Sequence, residues 1–201
     1  DIPALAAEFR KTRRLQIRDV LTAESAALVQ NILLRETPWG LAWQAGHGSF
    51  NFESREKLAG MTMQEHQARV QAVGDAVGRG EYGFSYSCYP MLQAYQERWA
   101  PNGPHDMLLE YMSDAPMMDL VRAVSGISEI VKADAQATLY APGQFLALHN
   151  DHEAGAGRRV AYVLSLTPPG WNLDWGGALQ FYDAEGDVIA VDTRDSLVRA
   201  S

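Results

Sequence analysis

The sequence predicts a single α+β domain in which a helix-rich front half supports an antiparallel sandwich or barrel of short strands. Three observations predict this class. Helix-capping residues recur between positions 22 and 126, short strands separated by turn residues fill positions 131–201, and no Ser/Pro-rich linker joins the two parts. A chain of 201 residues with 47% hydrophobic content can bury one sizeable core. We therefore expect residues 1–130 to form the helical support, with early strands, and residues 131–201 to form the β-core.

One early strand and three helices are expected in the front half. Thr22 follows the strand and is the expected N-cap of the first of these helices. Thr62 and Glu65 fit a capping box, in which each side chain bonds the backbone N–H of the other. Asp114 or Ser113 caps the third helix, which ends before a glycine. The predicted strand spans 15–21, and the predicted helices span 22–34, 62–77 and 114–125.

Turn residues divide the back half into short strands. Residues 131–140 alternate small or apolar side chains with polar ones, which is the period of a half-buried strand. Ala141-Pro142-Gly143 is typical of a tight turn, because proline fixes one dihedral angle and glycine accepts a positive φ. We expect this turn to let the chain reverse into a strand that contains His149. Further strands are predicted at 159–166, 178–182 and 195–201.

His149 and Asp151 are candidate metal ligands. Successive side chains on a strand alternate between its two faces, so an imidazole and a carboxylate two residues apart converge on one side. Two histidines and one carboxylate form the facial triad that binds Fe(II) and leaves positions open for substrate and O₂. The pair supplies two ligands of three, and a motif this short is a weak signal by its spacing alone.

The surroundings of this pair make the signal more specific. The sequence contains, in order, Tyr140-Ala-Pro-Gly143, the His149-Asn-Asp151 motif, a glycine-rich gap, a hydrophobic strand and Trp175-Gly-Gly-Ala-Leu-Gln-Phe-Tyr182. This order resembles the Fe(II)- and 2-oxoglutarate-dependent dioxygenases, in particular their prolyl-4-hydroxylase-like branch. The resemblance implies a double-stranded β-helix, which is a jelly-roll or cupin-like barrel, buttressed by the N-terminal helices.

The resemblance also implies roles for individual residues. His149 and Asp151 correspond to the first two iron ligands, and Tyr140 corresponds to the aromatic residue that lines the 2-oxoglutarate pocket. Where relatives place a second pocket tyrosine on the following strand, this chain has Ser165, with Tyr162 nearby. Both residues are therefore candidates for cofactor binding.

The third metal ligand of the family is a histidine, followed by an arginine that pairs with the distal carboxylate of 2-oxoglutarate. Both come after a strand that residues 195–201 resemble. No histidine follows His152 in this sequence. We therefore expect the final strands, the third ligand and the arginine beyond Ser201.

Such an enzyme would use Fe(II) as its metal, 2-oxoglutarate as its co-substrate and ascorbate as a supporting reductant. We expect it to hydroxylate a C–H bond, most readily in a prolyl residue of a protein, with succinate and CO₂ as co-products. Two alternatives stay open. The same fold could hydroxylate a small molecule or free amino acid, or it could be a catalytically inactive binding protein that lacks the third metal ligand.

Charge and cysteine content narrow the possible binding partners and the cellular compartment of the protein. A net charge of −8 argues against general binding to nucleic acid or to anionic membranes. No apolar run is long enough for a transmembrane helix, and the N-terminus lacks the pattern of a signal peptide. The single cysteine, Cys88, excludes an internal disulfide and suits a reducing compartment. We expect a cytoplasmic protein whose partner is a protein or small-molecule substrate.

The other histidines are expected to have roles other than metal binding. His66 falls in a predicted helix among polar residues, which favours an exposed position. His47 and His105 lie in sequences typical of loops. On a strand, His152 would point to the face opposite Asp151, which favours a role outside the ligand set.

Overall fold

The computed structural model describes residues 1–150, 157–167, 171–192 and 196–200. Within these ranges the chain forms seven α-helices and ten β-strands, with one 3₁₀ turn at Leu173–Trp175. The helices are α1 (Ile2–Thr12), α2 (Ala23–Arg35), α3 (Arg55–Gly60), α4 (Met63–Gly78), α5 (Met91–Gln96), α6 (Pro104–Ser113) and α7 (Ala115–Ser125). The strands are β1 (Arg14–Ile17), β2 (Gly40–Ala45), β3 (Asn51–Glu53), β4 (Gly83–Tyr89), β5 (Ala137–Leu139), β6 (Phe145–Leu146), β7 (Val160–Val163), β8 (Leu179–Tyr182), β9 (Val188–Asp192) and β10 (Ser196–Ala200). Among the described residues, no helix combines the length and the apolar character needed to cross a membrane.

The chain divides into two compact units, and each unit is assembled from separate stretches of sequence. The first unit comprises Asp1–Asn31, Tyr111–Ala133 and Asp151–Ser201. The second unit comprises Ile32–Glu110 and Asp134–Asn150. Residues from both sides of position 130 therefore contribute to each unit.

A three-stranded antiparallel sheet forms the centre of the first unit, in the order β1-β10-β7. Phe9 of α1, Leu15 of β1 and Val124 of α7 form its buried core. Arg13 ends α1 in the left-handed conformation, with φ of 59°, and its N–H bonds the Phe9 carbonyl. This sharp end turns the chain directly into β1, so that helix and strand pack on the same core. Strands β8 and β9 form a separate antiparallel hairpin.

The second unit contains an antiparallel sheet in the order β3-β2-β4-β5, and β6 pairs with the same strand β4. Phe84, Tyr86 and Cys88 alternate along β4 and are buried on one face of this sheet. Helix α4 packs against β2 and β4 of this sheet. An ion pair between Arg69 of α4 and Glu53 of β3, with an N–O distance of 2.7 Å, ties the helix to the sheet.

All three predicted helices are confirmed. Thr22 accepts a hydrogen bond from the Ser25 N–H at 3.1 Å, just before α2. Both bonds of the predicted capping box are present at α4, where Thr62 and Glu65 each bond the other's backbone N–H. Asp114 is the cap of α7, so the alternative cap Ser113 is wrong. Capping residues are reliable here because the orphan N–H groups of a first helical turn need a nearby acceptor.

The sequence analysis did not predict helices α1, α3, α5 and α6 or strands β2, β3, β4 and β9. Strand β4 carries a period-two signal, since its apolar residues at 84, 86 and 88 alternate with serines at 85 and 87. Strand β3 has only three residues, and the six residues of β2 follow no such alternation. Their place in the sheet is set by pairing with β4 and with one another. The prediction of helices combined with antiparallel sheets is confirmed within the described residues.

Candidate metal and cofactor site

Residues 140–144 leave the sheet of the second unit at one edge of β4. Leu139 of β5 pairs with Ser87, and Phe145 of β6 pairs with Ser85, so these five residues lie opposite Tyr86 alone. Both β5 and β6 are antiparallel to β4 and therefore run in the same direction. The predicted reversal of the chain at this turn is wrong. The turn is an insertion between two short strands that follow one another along β4 in the same direction.

The predicted tight turn itself is confirmed. The Gln144 N–H donates to the Ala141 carbonyl at 2.9 Å. Gly143, the residue after Pro142, has a φ of +82°, as in a type II turn. The Gln144 side chain closes the insertion. Its Oε1 accepts from the Ser87 N–H at 3.0 Å and from the Ala141 N–H at 2.9 Å. These bonds fix where the chain leaves the sheet and where it returns.

Tyr140 is the first residue of the insertion, and its ring lies against Tyr86. The ring centroids are 5.5 Å apart and the planes are tilted by 43°. Although 41% of the residue is exposed, burial at its hydroxyl raises the Tyr140 pKa, and the nearby Tyr86, Tyr82 and Cys88 raise it further. The phenol therefore stays protonated at neutral pH and can donate a hydrogen bond to an anion.

His149 lies beyond the end of β6 and is half-buried. The predicted strand through His149 is wrong, because pairing with β4 ends at Leu146 and Leu148 forms a bend. The Nδ1 atom lies 3.0 Å from the Ala147 carbonyl oxygen. A carbonyl can only accept, so this bond requires the hydrogen on Nδ1, and the lone pair of the neutral ring is then on Nε2. A bond from Nδ1 to a backbone carbonyl is the arrangement that orients a metal-binding histidine.

Asp151, the second predicted ligand, lies outside the described residues, as does His152. Among the residues that the structure describes, no group of three or more His, Cys, Asp or Glu side chains is placed to bind a metal ion. The convergence of His149 and Asp151 therefore stays a prediction.

Tyr162 belongs to the first unit and packs against its hydrophobic cluster with Leu15 and Val124. Its hydroxyl is buried and has no hydrogen-bond partner among the described residues. Burial raises the pKa of Tyr162 to about 12. Ser165 follows the end of β7, and its Oγ donates to Thr167 Oγ1 at 3.2 Å. The role of both residues in cofactor binding stays a prediction.

A row of aromatic side chains lies between His149 and Tyr140. It consists of Tyr82, just before β4, and of Phe84 and Tyr86 on β4, and we call these three residues the aromatic row. Neighbouring rings of the row are 5.7 Å and 5.2 Å apart. One end contacts His149, at 6.4 Å between the His149 and Tyr82 rings, and the other contacts Tyr140 through Tyr86. Sequence reasoning missed the row, although its period-two spacing was a usable signal.

The other described histidines, His47, His66 and His105, differ in burial and in their contacts. His105 is in helix α6 and buried, so its predicted loop position is wrong. Its Nε2 lies 2.8 Å from Thr37 Oγ1, and its ring is 4.5 Å from that of Tyr89. Burial lowers the His105 pKa, an effect that Glu36 and Asp106 partly oppose.

His66 lies on α4 as predicted, but it is half-buried, with Nδ1 3.0 Å from an Arg69 nitrogen. His47 is exposed.

Residues 135–200 match the family model of the 2OG-Fe(II) oxygenase superfamily. The match covers about a third of the 201 residues and includes Tyr140, His149, Asp151, Tyr162 and Ser165. Neither the curated proteins nor the solved structures that were searched contain a match to this chain. The family match supports the superfamily, an oxygenase activity, and Fe(II) with 2-oxoglutarate as its metal and co-substrate. The described helices and antiparallel sheets are consistent with the fold of such an enzyme.

The described residues of the second unit fit these two groups chemically. His149 is half-buried and has its lone pair on Nε2, the atom with which a neutral imidazole of this tautomer binds Fe(II). Tyr140 offers a neutral hydroxyl, which suits a carboxylate of 2-oxoglutarate. Both side chains contact the aromatic row, which supplies a packed apolar wall between them.

Proposed function

We propose that this protein is an Fe(II)- and 2-oxoglutarate-dependent dioxygenase that hydroxylates a C–H bond of a prolyl residue in a protein. Its fold would be a double-stranded β-helix of the prolyl-4-hydroxylase-like branch, and ascorbate would support it as a reductant. The observation that carries the proposal is the family match over residues 135–200, within which Tyr140 and His149 contact one aromatic row. The prolyl substrate rests on the motif order from Tyr140 to Tyr182 alone.

In this proposal, His149 and Asp151 are two of the protein ligands of the metal. When bound, Fe(II) and 2-oxoglutarate supply the oxygen chemistry that couples decarboxylation to succinate and CO₂ with hydroxylation of the substrate. His149 contributes a neutral imidazole, oriented by its bond to the Ala147 carbonyl. Because a ligating imidazole has to lose its proton, metal affinity falls as the pH is lowered into the titration range of histidine.

Tyr140 is proposed to donate a hydrogen bond to a carboxylate of 2-oxoglutarate. A carboxylate is bound best by a donor that stays protonated, and the surroundings of Tyr140 favour the protonated phenol. Tyr162 of β7 and Ser165, which follows the end of β7, are proposed as further cofactor-binding residues. For Tyr162 this role would require its buried hydroxyl to become reachable by the co-substrate.

Anaerobic addition of Fe(II) and 2-oxoglutarate tests the metal site. The full-length protein should develop a weak visible charge-transfer band, and His149→Ala and Asp151→Ala should each abolish it. His66→Ala is the matched control, since this histidine lies on helix α4 within the same unit, and the band should survive. An unchanged band in both ligand variants would refute the ligand assignment.

The substrate class is tested by succinate release. Proline-containing peptides should stimulate it above the level seen with 2-oxoglutarate alone, and peptides with alanine in place of proline should not. Stimulation by free amino acids or another small molecule instead would replace the prolyl substrate with the small-molecule alternative. Binding of Fe(II) and 2-oxoglutarate without succinate release from any of these would favour a binding protein.

A further inference from the structure

We propose that Tyr86 and Gln136 are positioning residues that hold the Tyr140 side chain at the 2-oxoglutarate-binding surface. The inference rests on the proposed function, since it concerns how one of its cofactor-binding residues is held. All the contacts that support it lie within the second unit. They form a chain that starts at Cys88, passes through the Gln136 amide to the Tyr86 hydroxyl, and ends at the Tyr140 ring.

The register of the sheet brings Tyr86 beneath Tyr140. Because residues 140–144 are inserted opposite Tyr86, the Tyr140 side chain leaves the sheet directly over this residue. Their ring centroids are 5.5 Å apart. Tyr140 follows the end of β5, at the beginning of a turn, and is 41% exposed, so its local backbone restrains the side chain weakly. The ring of Tyr86 is therefore a fixed surface against which Tyr140 can be oriented.

Tyr86 is itself rigidly held. Only 6% of the residue is exposed, and its ring stacks on Phe84 at 5.2 Å with an interplanar angle of 28°. Its hydroxyl oxygen accepts a hydrogen bond from Gln136 Nε2 at 3.3 Å. A ring fixed by stacking and a hydroxyl fixed by a donor give Tyr140 a neighbour of defined position.

The oxygen of the Gln136 amide contacts Cys88. The Cys88 thiol is 3.6 Å from Gln136 Oε1, and burial raises its pKa to about 12, so the sulfur keeps its hydrogen and donates. Gln136 thus presents Oε1 to Cys88 and Nε2 to Tyr86 in the structure. Tyr86 consequently accepts from Gln136, and its own hydroxyl hydrogen is directed away from Gln136. Among the neighbouring side chains, Tyr86 also contributes most to the raised pKa of Tyr140.

Binding of 2-oxoglutarate to the Mn(II)-loaded protein, measured by calorimetry, tests the proposal without turnover. Tyr86→Phe keeps the stacked ring and removes the hydroxyl, and Gln136→Leu removes the donor to it. Each change should weaken 2-oxoglutarate binding by roughly threefold to tenfold, the effect of one lost hydrogen bond. Gln93→Leu is the matched control, because Gln93 bonds Glu97 on the exposed side of α5, and binding should be unchanged.

A double variant separates a positioning role from a general loss of structure. If Tyr86 acts through Tyr140, Tyr86→Phe should have no further effect on 2-oxoglutarate affinity in a Tyr140→Phe background. Full additivity of the two changes, or unchanged affinity in both Tyr86→Phe and Gln136→Leu, would overturn the proposal. Wild-type protein that fails to bind 2-oxoglutarate at all would instead overturn the proposed function itself. Urea unfolding midpoints of all variants verify that each is folded in the binding experiment.

Discussion

The Gln144 side chain is the hydrogen-bond acceptor for the backbone N–H of Ser87. Its side-chain Oε1 accepts the Ser87 N–H at 3.0 Å, at the point where the chain between β5 and β6 leaves the sheet. The same oxygen accepts the Ala141 N–H at 2.9 Å, and Gln144 Nε2 donates to Ser87 Oγ at 3.1 Å. One amide thus satisfies backbone groups of both the sheet and the turn, and it positions Tyr140 at the start of that turn.

Gln144→Leu should destabilise the fold by about 1–3 kcal/mol, because it leaves two backbone N–H groups without their acceptor. The urea midpoint measures this loss. Gln71→Leu is the control, since Gln71 bonds only Asp75 on the exposed surface of α4 in the described structure, and its midpoint should hardly move. Equal midpoints for the two variants would show that the Gln144 bonds contribute nothing.

Tyr140→Phe should raise the dissociation constant for 2-oxoglutarate while leaving metal binding intact. The change removes one hydrogen bond to a charged carboxylate, a loss of about 1.5–3 kcal/mol. Calorimetry measures both affinities, with Mn(II) titrated into metal-free protein and 2-oxoglutarate titrated into Mn(II)-loaded protein. The matched control is Tyr95→Phe, because Tyr95 bonds Glu110 on the surface of the same unit. If co-substrate affinity is equal in all three proteins, Tyr140 is purely structural.

Removing Arg69 should cost far more stability than removing Lys57, although both cations lie near the Glu53 carboxylate. Arg69 is 2.7 Å from it, with side chains 11% and 7% exposed, whereas Lys57 is 3.7 Å away and 63% exposed. Arg69→Met strands a buried carboxylate and should cost about 3–5 kcal/mol. Lys57→Met should cost less than about 1 kcal/mol in the same urea titration.

The double variant Arg69→Met with Glu53→Leu should recover part of this loss, because it buries no unpaired charge. If the double variant is no more stable than Arg69→Met, the cost comes from lost packing of the Arg69 stem rather than from the stranded carboxylate.

Tyr162→Phe should leave the protein as stable or more stable at neutral pH, since it removes a buried hydroxyl that has no partner among the described residues. The pH dependence follows from the raised pKa of about 12. The folded state retains the phenol proton more tightly than the unfolded chain, so stability is intact below about pH 10 and falls as the pH rises through 12. Tyr162→Phe should lose less stability in that window than wild type.

Urea midpoints at neutral and alkaline pH measure this difference, with Tyr111→Phe as the exposed control in the same unit. A marked loss of stability at neutral pH in Tyr162→Phe would show that the hydroxyl is bonded. Weaker binding of 2-oxoglutarate by this variant would instead support the cofactor role proposed for Tyr162.

His105 should make the fold sensitive to mild acid. Burial lowers its pKa, so on acidification the unfolded chain takes up this proton before the folded state does. Stability is therefore intact above about pH 6.5 and is lost as the pH falls below that value. His105→Gln keeps a polar group that can reach Thr37 and cannot titrate, so its urea midpoint should depend less on pH. His47→Gln, in an exposed position, should retain the full acid sensitivity, and identical pH profiles for both variants would contradict the assignment.

Local signals in the sequence predicted local structure well. The caps at Thr22, Thr62 and Asp114 begin α2, α4 and α7, because a side-chain oxygen three residues or fewer away satisfies the first-turn N–H groups. The Pro142-Gly143 pair specifies its turn for a similar reason, since both dihedral preferences are intrinsic to the residues. The predicted alternation is confirmed for Ala133, Ala135 and Ala137, which are buried, and is wrong for Leu139, which is 44% exposed. Hydrogen-bonded pairing begins only at residue 137.

The candidate site depended on the sequence and the tertiary structure in different ways. The spacing of Tyr140, His149 and Asp151 and the turn between the first two are properties of the chain itself, and they were sufficient to indicate an oxygenase. The tertiary structure decided the direction of the chain after the turn, because β5 and β6 both pair with β4, which lies about 50 to 60 residues earlier in the sequence. The contacts of Tyr140 with Tyr86 and of His149 with Tyr82 arise from that same pairing. Residue type thus fixes which groups can do the chemistry, whereas strand pairing, which joins distant residues through backbone hydrogen bonds common to all sequences, decides which of them meet.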